Sequence, residues 1–316
     1  MGIKNLNSFI KSNVTKTAIN KITIESLSNK VIVVDTSIYL YRFLAEEALL
    51  ENMYIMLSLF RYYNITPIFV FDGKAPIEKA QLLDKRNKDK DIAEEQYNKL
   101  KELLKHTFCS KKKSEISEQM IELKKKFIRI TKSHTIIVQE LMGAFGISYI
   151  EAEGEADIIC AKLVIKKIAY ACLSEDMDLF IYGCPRVLRY LSLLNETVVI
   201  YYLNIILDDL KLSFKEFKEI SILSGTDYNY NTDNNTDLYK TWNYFTLYKT
   251  STDKSDDFYL WLDNTTNYID NIFHLYNVYN MFMTENIYIK KIKNKKKDID
   301  LIKIKQIMKP EGFIFI

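Results

Sequence analysis

Acidic residues follow short apolar runs at several points along this chain. Asp35 comes directly after residues 31–34 (Val-Ile-Val-Val), and Asp72 after residues 68–71 (Ile-Phe-Val-Phe). Uninterrupted apolar runs of this length are typical of buried strands in an α/β sheet. Functional groups in open α/β sheets collect beyond the carboxyl ends of the strands, so these acids are expected to meet. Further acids of this kind are Glu155, Asp157, Asp176, Asp178 and, closing Leu-Ser-Gly-Thr-Asp, Asp227.

Acids gathered in this way indicate a particular chemistry. Crowded carboxylates repel one another and lose hydration. Hard cations such as Mg²⁺ relieve both costs, because they take oxygen ligands. The pattern therefore predicts a divalent-metal site. A zinc site is not expected, since the chain has only three histidines and its four cysteines form no Cys-x-x-Cys pair.

Composition limits the class of protein. At 316 residues and 48% hydrophobic content, the chain can bury a sizeable core. No apolar stretch is long enough to span a bilayer, and the N-terminal residues lack the apolar centre of a secretory signal. The scattered cysteines are typical of reduced core residues. We expect a soluble intracellular protein with no membrane partner.

The charge is unevenly distributed, although the net charge is only +3. Residues 85–132 carry 15 Lys and Arg against 8 Asp and Glu, and residues 290–309 carry 9 Lys against 2 Asp. An acidic centre between two basic segments suits a phosphate polymer bound beside metal ions. The alternative is that both lysine-rich segments are merely solvated surfaces.

The order of elements predicts an α/β fold with a mostly parallel central sheet flanked by helices. Residues 77–132 contain no glycine or proline and are rich in Lys, Glu and Gln, which predicts one or two long, exposed helices. Residues 37–63, 127–145, 158–167 and 214–223 are also expected to be helical. We expect a core at 1–227, with 77–132 inserted in it, and a helical, basic C-terminal region at 228–316.

The acidic motifs occur in an order that resembles one known family. They are Val-Val-Asp-Thr-Ser (33–37), Phe-Val-Phe-Asp-Gly-Lys-Ala-Pro (69–76), Glu-Ala-Glu-Gly-Glu-Ala-Asp (151–157), Ser-Glu-Asp-Met-Asp-Leu (174–179) and Ser-Gly-Thr-Asp-Tyr (224–228). Together with the opening Met-Gly-Ile-Lys-Asn-Leu, they resemble the flap endonuclease and xeroderma pigmentosum G group of structure-specific 5′ nucleases. The resemblance covers roughly residues 1–227. It implies a PIN-like or resolvase-like nuclease core.

The resemblance implies a role for each acid. It assigns Asp72, Glu155 and Asp157 to one Mg²⁺ ion, and Asp176, Asp178 and Asp227 to a second, with Mn²⁺ as a substitute. It makes Asp35 an outer acid that orders water at the metals. One departure is Asp157, where the family usually has Glu.

Further residues match the family's DNA contacts. Lys79 and Arg86 resemble a basic pair that steers the scissile phosphate, and a spacing of seven predicts one helix face for both. The alternative is two exposed cations on a lysine-rich helix. Tyr41 resembles an aromatic residue that stacks on a base, against the alternative of a core tyrosine. Gly2 and Lys132 are weaker candidates for DNA contact.

The likeness weakens beyond Asp227. The family has a glycine-rich turn there that grips duplex DNA, but this chain has no glycine between Gly225 and Gly312. We therefore do not expect a standard helix-two-turn-helix hairpin, and residues 290–309 are candidate replacement contacts. No clamp-binding peptide is recognised. These departures suggest a divergent member, of viral or otherwise remote origin.

The resemblance predicts a metal-dependent 5′ nuclease that cuts branched or flapped DNA, in a nucleus or at a viral replication site. Residues 77–132 would then form the family's helical arch. One alternative is a 5′ exoribonuclease-like RNA nuclease, because similar metal centres cut RNA. Another is a catalytically silent DNA-junction binder, whose signature would be a lost carboxylate.

Overall fold

A computed structural model describes residues 2–229, 237–252, 257–284 and 298–313. The chain divides into two compact units. The first unit comprises Met1–Asp35, Leu59–Lys74 and Tyr149–Asn294, and the second comprises Thr36–Ser58, Ala75–Ser148 and Lys295–Ile316. Each unit is therefore built from three separate stretches of the chain.

The first unit is organised around one seven-stranded sheet of order β1-β7-β6-β5-β2-β3-β4. The strands are β1 Ile19–Thr23, β2 Val31–Asp35, β3 Thr66–Phe71, β4 Tyr149–Glu151, β5 Ala171–Leu173, β6 Arg186–Ser192 and β7 Thr197–Tyr202. The five strands from β6 to β4 pair in parallel, whereas β7 is antiparallel to both β6 and β1. The prediction of a mostly parallel α/β sheet is confirmed.

The strand register decides where the acids lie. Val34 of β2 pairs with Phe69 of β3 and with Leu173 of β5. On the other side of β3, Phe71 pairs with Glu151 of β4. Four adjacent parallel strands therefore end at the same edge of the sheet. Each of them ends at a predicted acid or is followed by one within a few residues.

Helices cover the sheet of the first unit and continue beyond it. They are α1 Leu6–Asn13, α7 Ala156–Ile165, α8 Asp178–Ile181, α9 Leu203–Leu210, α10 Phe214–Leu223, α11 Leu238–Thr250, α12 Phe258–Thr265 and α13 Ile272–Met281. The helix predicted over 214–223 is confirmed, and Ser213 and Glu216 form a capping box at its start. The helix predicted over 158–167 is α7, which begins two residues earlier.

The second unit is helical in the residues described. It contains α2 Thr36–Ala45, the start of α3 Leu49–Tyr62, α4 Ala80–Lys105, α5 Ser110–Lys126, α6 Lys132–Ala144 and α14 Leu301–Met308. The single helix expected over 37–63 is in fact two, because Glu47 adopts a left-handed backbone (φ 55°) between α2 and α3.

The prediction of long exposed helices within 77–132 is confirmed by α4 and α5. Only Leu82 and Ala93 of α4 and Ile116 of α5 are buried. Such a sparse apolar stripe stabilises a helical hairpin but gives it no second layer to pack against. In the described ranges, no helix is long and apolar enough to cross a membrane.

The C-terminal region is helical where it is described, as α11 to α14. The lysine-rich stretch 290–297 and the second part of the segment after Asp227, at 230–236, lie outside the described residues.

Candidate active site

Asp72 follows the last residue of β3, and the backbone after it approaches the loop after β4 closely. Gly73 N–H donates to the Gly154 carbonyl at 2.7 Å. A Cβ on Gly73 would lie 2.0 Å from the Ala152 carbonyl oxygen, so only glycine fits there. The side chain of Asp72 then accepts a hydrogen bond from Ala156 N–H at 2.8 Å. The loops after β3 and β4 are thereby held together.

Glu155 and Asp157 lie on either side of the start of α7. Glu155 is the N-cap residue with an extended backbone (φ −79°, ψ 141°), and Asp157 lies in the first helical turn. The two acids therefore do not lie on one continuous helix, on which residues at this spacing would diverge. Negative side chains are also favoured at a helix N-terminus. Tyr228 Oη donates a short hydrogen bond to Glu155 Oε2.

Asp35 and the loop after β5 are linked by successive hydrogen bonds. Ser174 Oγ donates to Asp35 Oδ2 at 2.8 Å and accepts from Asp176 N–H at 3.1 Å. Asp178 N–H donates to Asp176 Oδ1 at 2.9 Å. Asp35 and Asp178 are buried. Asp176 and Asp178 are not on one extended strand, because Asp178 is already the first residue of α8.

Gly2 packs directly against this loop. Its backbone is left-handed (φ 74°), and an added Cβ would lie 2.5 Å from Asp178 Oδ1 and 2.6 Å from Asp176 Oδ1. No larger residue fits without displacing both carboxylates. The structure therefore brings Gly2 together with two of the predicted metal ligands.

The acids also act on buried groups beneath them. Burial raises the pKa of the Cys160 thiol, and the negative charges of Asp35, Asp157 and Asp72 raise it further. The pKa of Tyr182 is raised well above its usual value by burial and then by Asp157 and other neighbours, including Asp178. Acids that follow or end four different strands thus raise the pKa values of two buried residues, Cys160 and Tyr182.

Asp227 follows a helix rather than a strand. It follows α10 and is half-buried. Asn229 Oδ1 accepts from Thr226 N–H at 2.6 Å and from Thr226 Oγ at 2.7 Å, while its Nδ2 donates to the Ile222 carbonyl at 2.8 Å. These bonds hold the turn that carries Asp227.

The donor chemistry of the predicted site is uniform: the seven acids present carboxylate oxygens only. In the described part of the chain, no three acidic, histidine or cysteine side chains form a ready metal cage. Several of the carboxylates accept hydrogen bonds from protein donors instead, as Asp72, Asp35 and Glu155 do. An all-oxygen donor set fits Mg²⁺ or Mn²⁺ rather than zinc.

Sequence comparison assigns the family. Models of the XPG N-terminal domain and of the XPG I-region match residues 1–93 and 146–227. The chain belongs to the XPG and flap endonuclease family. It is 31% identical to Flap endonuclease 1 of Candida glabrata over 249 residues, which are 72% of this chain and 61% of that protein. Flap endonuclease 1 of Cryptosporidium muris is 30% identical over 256 residues, which are 72% of this chain and 52% of that protein. The chain spans between half and two thirds of the length of these relatives.

Several solved structures share the fold. The catalytic core of Rad2 in complex with DNA substrate has a TM-score of 0.70 at 20% identity, covering 99% of this chain and 96% of that one. Flap endonuclease-1 from Methanococcus jannaschii has a TM-score of 0.61 at 22% identity, covering 93% and 90%. Human GEN1 in complex with Holliday junction DNA has a TM-score of 0.64 at 16% identity, covering 98% and 74%.

The other candidates suggested by the family likeness lie in the second unit. Lys79 is buried and ends a 3₁₀ turn, whereas Arg86 is exposed on α4. The prediction of one helix face for both is therefore wrong, because α4 begins only at Ala80. Tyr41 is 41% exposed, which argues against a core role, and Lys90 Nζ lies 5.0 Å from its ring centroid. Lys132 is the exposed first residue of α6.

Some residues of the site went unassigned by sequence reasoning. Gly73, Ser174 and Tyr228 all lie inside the family motifs, but each acts through a contact that spans 73 to 139 residues of sequence. Their position beside a predicted acid was the available signal. The local sequence does not show that Gly73 packs against a backbone, or that Ser174 and Tyr228 form hydrogen bonds with distant acids.

Proposed function

We propose that this protein is a divalent-metal-dependent, structure-specific 5′ nuclease that hydrolyses phosphodiester bonds of flapped or branched DNA. The observation that carries the proposal is the convergence of acids at one edge of the sheet, beyond β5, β2, β3 and β4. A phosphate polymer does not approach such a negative edge unless cations lie between them. Membership of the XPG and flap endonuclease family supports the same reaction.

The acids divide into two ligand sets in this proposal. Asp72, Glu155 and Asp157 would hold one Mg²⁺ ion, and Asp176, Asp178 and Asp227 the second, with Mn²⁺ able to substitute. Two such ions would stabilise both the attacking and the leaving oxygen of a phosphodiester.

The remaining first-unit residues orient the ligands. Asp35 accepts from Ser174 Oγ, and Ser174 in turn accepts from Asp176 N–H, so Asp35 sets the course of the loop that carries Asp176. Tyr228 donates to Glu155 and restricts that carboxylate. Gly2 limits the space open to Asp176 and Asp178, and is a candidate DNA contact.

Residues of the second unit would handle the DNA strand. Lys79 and Arg86 supply positive charge for the scissile phosphate, and Arg86 can do so by paired N–H donors. The exposed ring of Tyr41 is available for stacking on an unpaired base. Lys132 adds a positive charge at the start of α6.

Residues 77–132 would act as an arch that admits single strands and excludes intact duplex. The exposed helices α4 and α5, with their excess of lysine, support this part of the proposal. The C-terminal region 228–316 would bind duplex DNA, with the lysines of 290–309 in place of a glycine-rich turn. We expect the protein to act in a nucleus or at a viral replication site.

The experiment is a cleavage assay with Mg²⁺ on end-labelled flap, nicked, duplex, single-stranded and junction DNA, with matched RNA strands. We expect preferential cutting of flap or branched DNA near the 5′ branch. The double variant Asp176→Ala/Asp178→Ala should bind flap DNA and leave it intact. Preferential cutting of RNA, or undiminished cutting by the double variant, would refute the proposal.

The arch has its own test. Replacing residues 90–125 by a short linker should lower the preference for flap over duplex and retain some metal-dependent cleavage. An unchanged preference would exclude the arch role and leave the proposed chemistry intact.

A further inference from the structure

An irregularity in β6, here called the bulge, contains two consecutive residues that differ greatly in exposure. The register between β6 and β7 shifts between Arg189 and Ser192. Within this shift Tyr190 has a left-handed backbone (φ 56°), which is strained for a residue with a large side chain. Tyr190 is 40% exposed and Arg189 only 5%. Strain of this kind persists where the surroundings enforce it.

Glu175 contacts both residues of the bulge. Its Oε1 accepts from Tyr190 N–H at 2.5 Å. Its backbone carbonyl accepts from Arg189 Nη2 at 2.9 Å, and its Oε2 lies 3.5 Å from Arg189 Nε. The two residues of the bulge therefore contact both the backbone carbonyl and the side-chain carboxylate of Glu175. Glu175 directly precedes Asp176 in the chain.

The same guanidinium also reaches the N-terminal helix. Arg189 Nη1 donates to Asn7 Oδ1 at 2.6 Å, and Tyr201 Oη donates to the same oxygen at 3.0 Å. Asn7 lies in the first turn of α1, five residues after Gly2. Gly2 is the residue whose backbone packs against the carboxylates of Asp176 and Asp178.

One buried side chain thus holds both segments that meet at the acids. We propose that Arg189 is a positioning residue that sets the loop of Asp176 and Asp178 against Gly2, an inference that rests on the proposed metal-dependent function. Its Nη1 and Nη2 groups donate to two acceptors at fixed angles, and its Nε lies 3.5 Å from Glu175 Oε2. The ring of Tyr201 lies 5.5 Å from the guanidinium carbon. A lysine has one ammonium group and cannot bridge Asn7 and Glu175 in this way.

The test compares Arg189→Met and Arg189→Lys with a matched control on the same strand. Arg186 is the control, because its Nε donates to the Tyr170 carbonyl at 2.6 Å and its guanidinium stacks on Tyr170 at 4.4 Å. Hydrogen–deuterium exchange of residues 174–178 without added metal reports the order of the loop. Isothermal titration calorimetry measures the affinity of each protein for Mn²⁺. A flap-cleavage assay measures the rate of the reaction.

We expect Arg189→Met to speed exchange in 174–178 and to weaken Mn²⁺ binding about 10- to 100-fold, the usual effect of losing a residue that orients metal ligands. Arg189→Lys should lie between Arg189→Met and the wild type, and Arg186→Met should stay within about twofold of the wild type. If Arg189→Met keeps wild-type exchange and Mn²⁺ affinity, the inference is overturned.

A second pair of variants covers a folding failure of Arg189→Met. Asn7→Ala removes the side-chain oxygen that accepts from Arg189 Nη1. Glu175→Gln removes the ion pair between the Glu175 carboxylate and Arg189. Each should speed exchange in 174–178, and wild-type exchange in both would overturn the inference. If the wild-type protein cuts no DNA, the proposed function fails, whereas exchange still reports on Arg189.

Discussion

The Asp72 carboxylate accepts a hydrogen bond from the backbone N–H of Ala156 at 2.8 Å, across 84 residues of sequence. Ala156 is the first residue of α7 and lies between Glu155 and Asp157. The bond therefore couples the position of Asp72 to the two acids that the family likeness assigns to the same metal ion. A substitution at the end of β3 is therefore expected to shift the positions of all three carboxylates.

Gly73→Ala tests this coupling. The new Cβ would meet the backbone of residues 152 and 153, which cannot rotate away, so the loops after β3 and β4 must separate. We expect a loss of about 1–3 kcal/mol in the free energy of unfolding, measured in urea. Cleavage should fall as well, because Asp72 moves with the loop.

Gly154→Ala is the matched control for Gly73→Ala. Gly154 lies in the facing loop, and nothing lies within 4 Å of its Cβ position. Its effect on unfolding should stay within about 0.5 kcal/mol. Equal losses in the two variants would contradict the close-approach explanation.

Gly2→Ala is expected to impair the reaction more than the fold. Its Cβ would push on Asp176 and Asp178 at the ends of their side chains, which can rotate away at the expense of metal binding. We expect at least a tenfold rise in the Mg²⁺ concentration that gives half-maximal cleavage, with a backbone strain cost of about 1 kcal/mol in the free energy of unfolding.

Gly312→Ala separates backbone strain from displacement of the acids. Gly312 has nearly the same backbone (φ 71°) but nothing within 4 Å of its Cβ position. It should show a strain cost of about 1 kcal/mol and unchanged Mg²⁺ dependence. A parallel shift of Mg²⁺ dependence in both variants would argue against contact between Gly2 and the acids.

Tyr228→Phe removes the donor to Glu155. The hydroxyl is buried, and burial together with the charge of Glu155 raises its pKa far above the usual value, so it stays protonated and donates. Losing a hydrogen bond to a charged acceptor should lower the free energy of unfolding by about 1.5–3 kcal/mol. Cleavage should also slow, because Glu155 gains freedom.

Tyr259→Phe distinguishes the two effects of Tyr228→Phe. Tyr259 is fully buried, and its hydroxyl donates to the Glu219 carbonyl at 2.9 Å rather than to a predicted ligand. It should destabilise the fold without changing the cleavage rate of the folded protein. A rate loss as large as that of Tyr228→Phe would count against a specific role for the bond to Glu155.

Glu219 predicts a pH dependence of stability. Burial, opposed in part by Lys215 and reinforced by Asp257, raises its pKa from 4.5 to about 7. A raised folded-state pKa means that the folded protein binds the proton more tightly. The resulting stabilisation is complete below pH 4.5 and is lost as the pH rises through about 7, a change of roughly 3 kcal/mol.

Glu219→Gln should remove this dependence, because the amide does not titrate. Urea unfolding of both proteins at pH 5 and pH 8 measures it. The variant should gain stability relative to wild type as the pH rises from 5 to 8. A difference between the proteins that is the same at both pH values would exclude a raised pKa.

Strand ends were predictable because their signals are local. An apolar run followed by an acid marked Asp35 and Asp72, and the structure ends β2 and β3 at those points. The geometry of each acidic pair was not predictable. A spacing of two places Asp176 and Asp178 on the same side only if the segment is extended, but Asp178 is the first residue of α8. Whether a helix begins between two such residues depends on packing against distant elements.

The candidate cations show the same limit. A spacing of seven suggested one face for Lys79 and Arg86, but a 3₁₀ turn ends at Lys79 before α4 begins. Local composition identified the long, exposed helices of 77–132, because they contain no glycine or proline and little apolar surface. It did not indicate that Lys79 is buried.

Consecutive residues were sufficient to predict the apolar strands, the acids at their ends and the family, because each of these signals is local. How those acids are held depends on contacts between distant parts of the fold. Three contacts hold them. Ala156 N–H donates to Asp72, Gly2 packs against Asp176 and Asp178, and Arg189 donates to the Glu175 carbonyl. Such contacts form only when strand register and helix packing bring distant backbones together, which no local pattern specifies.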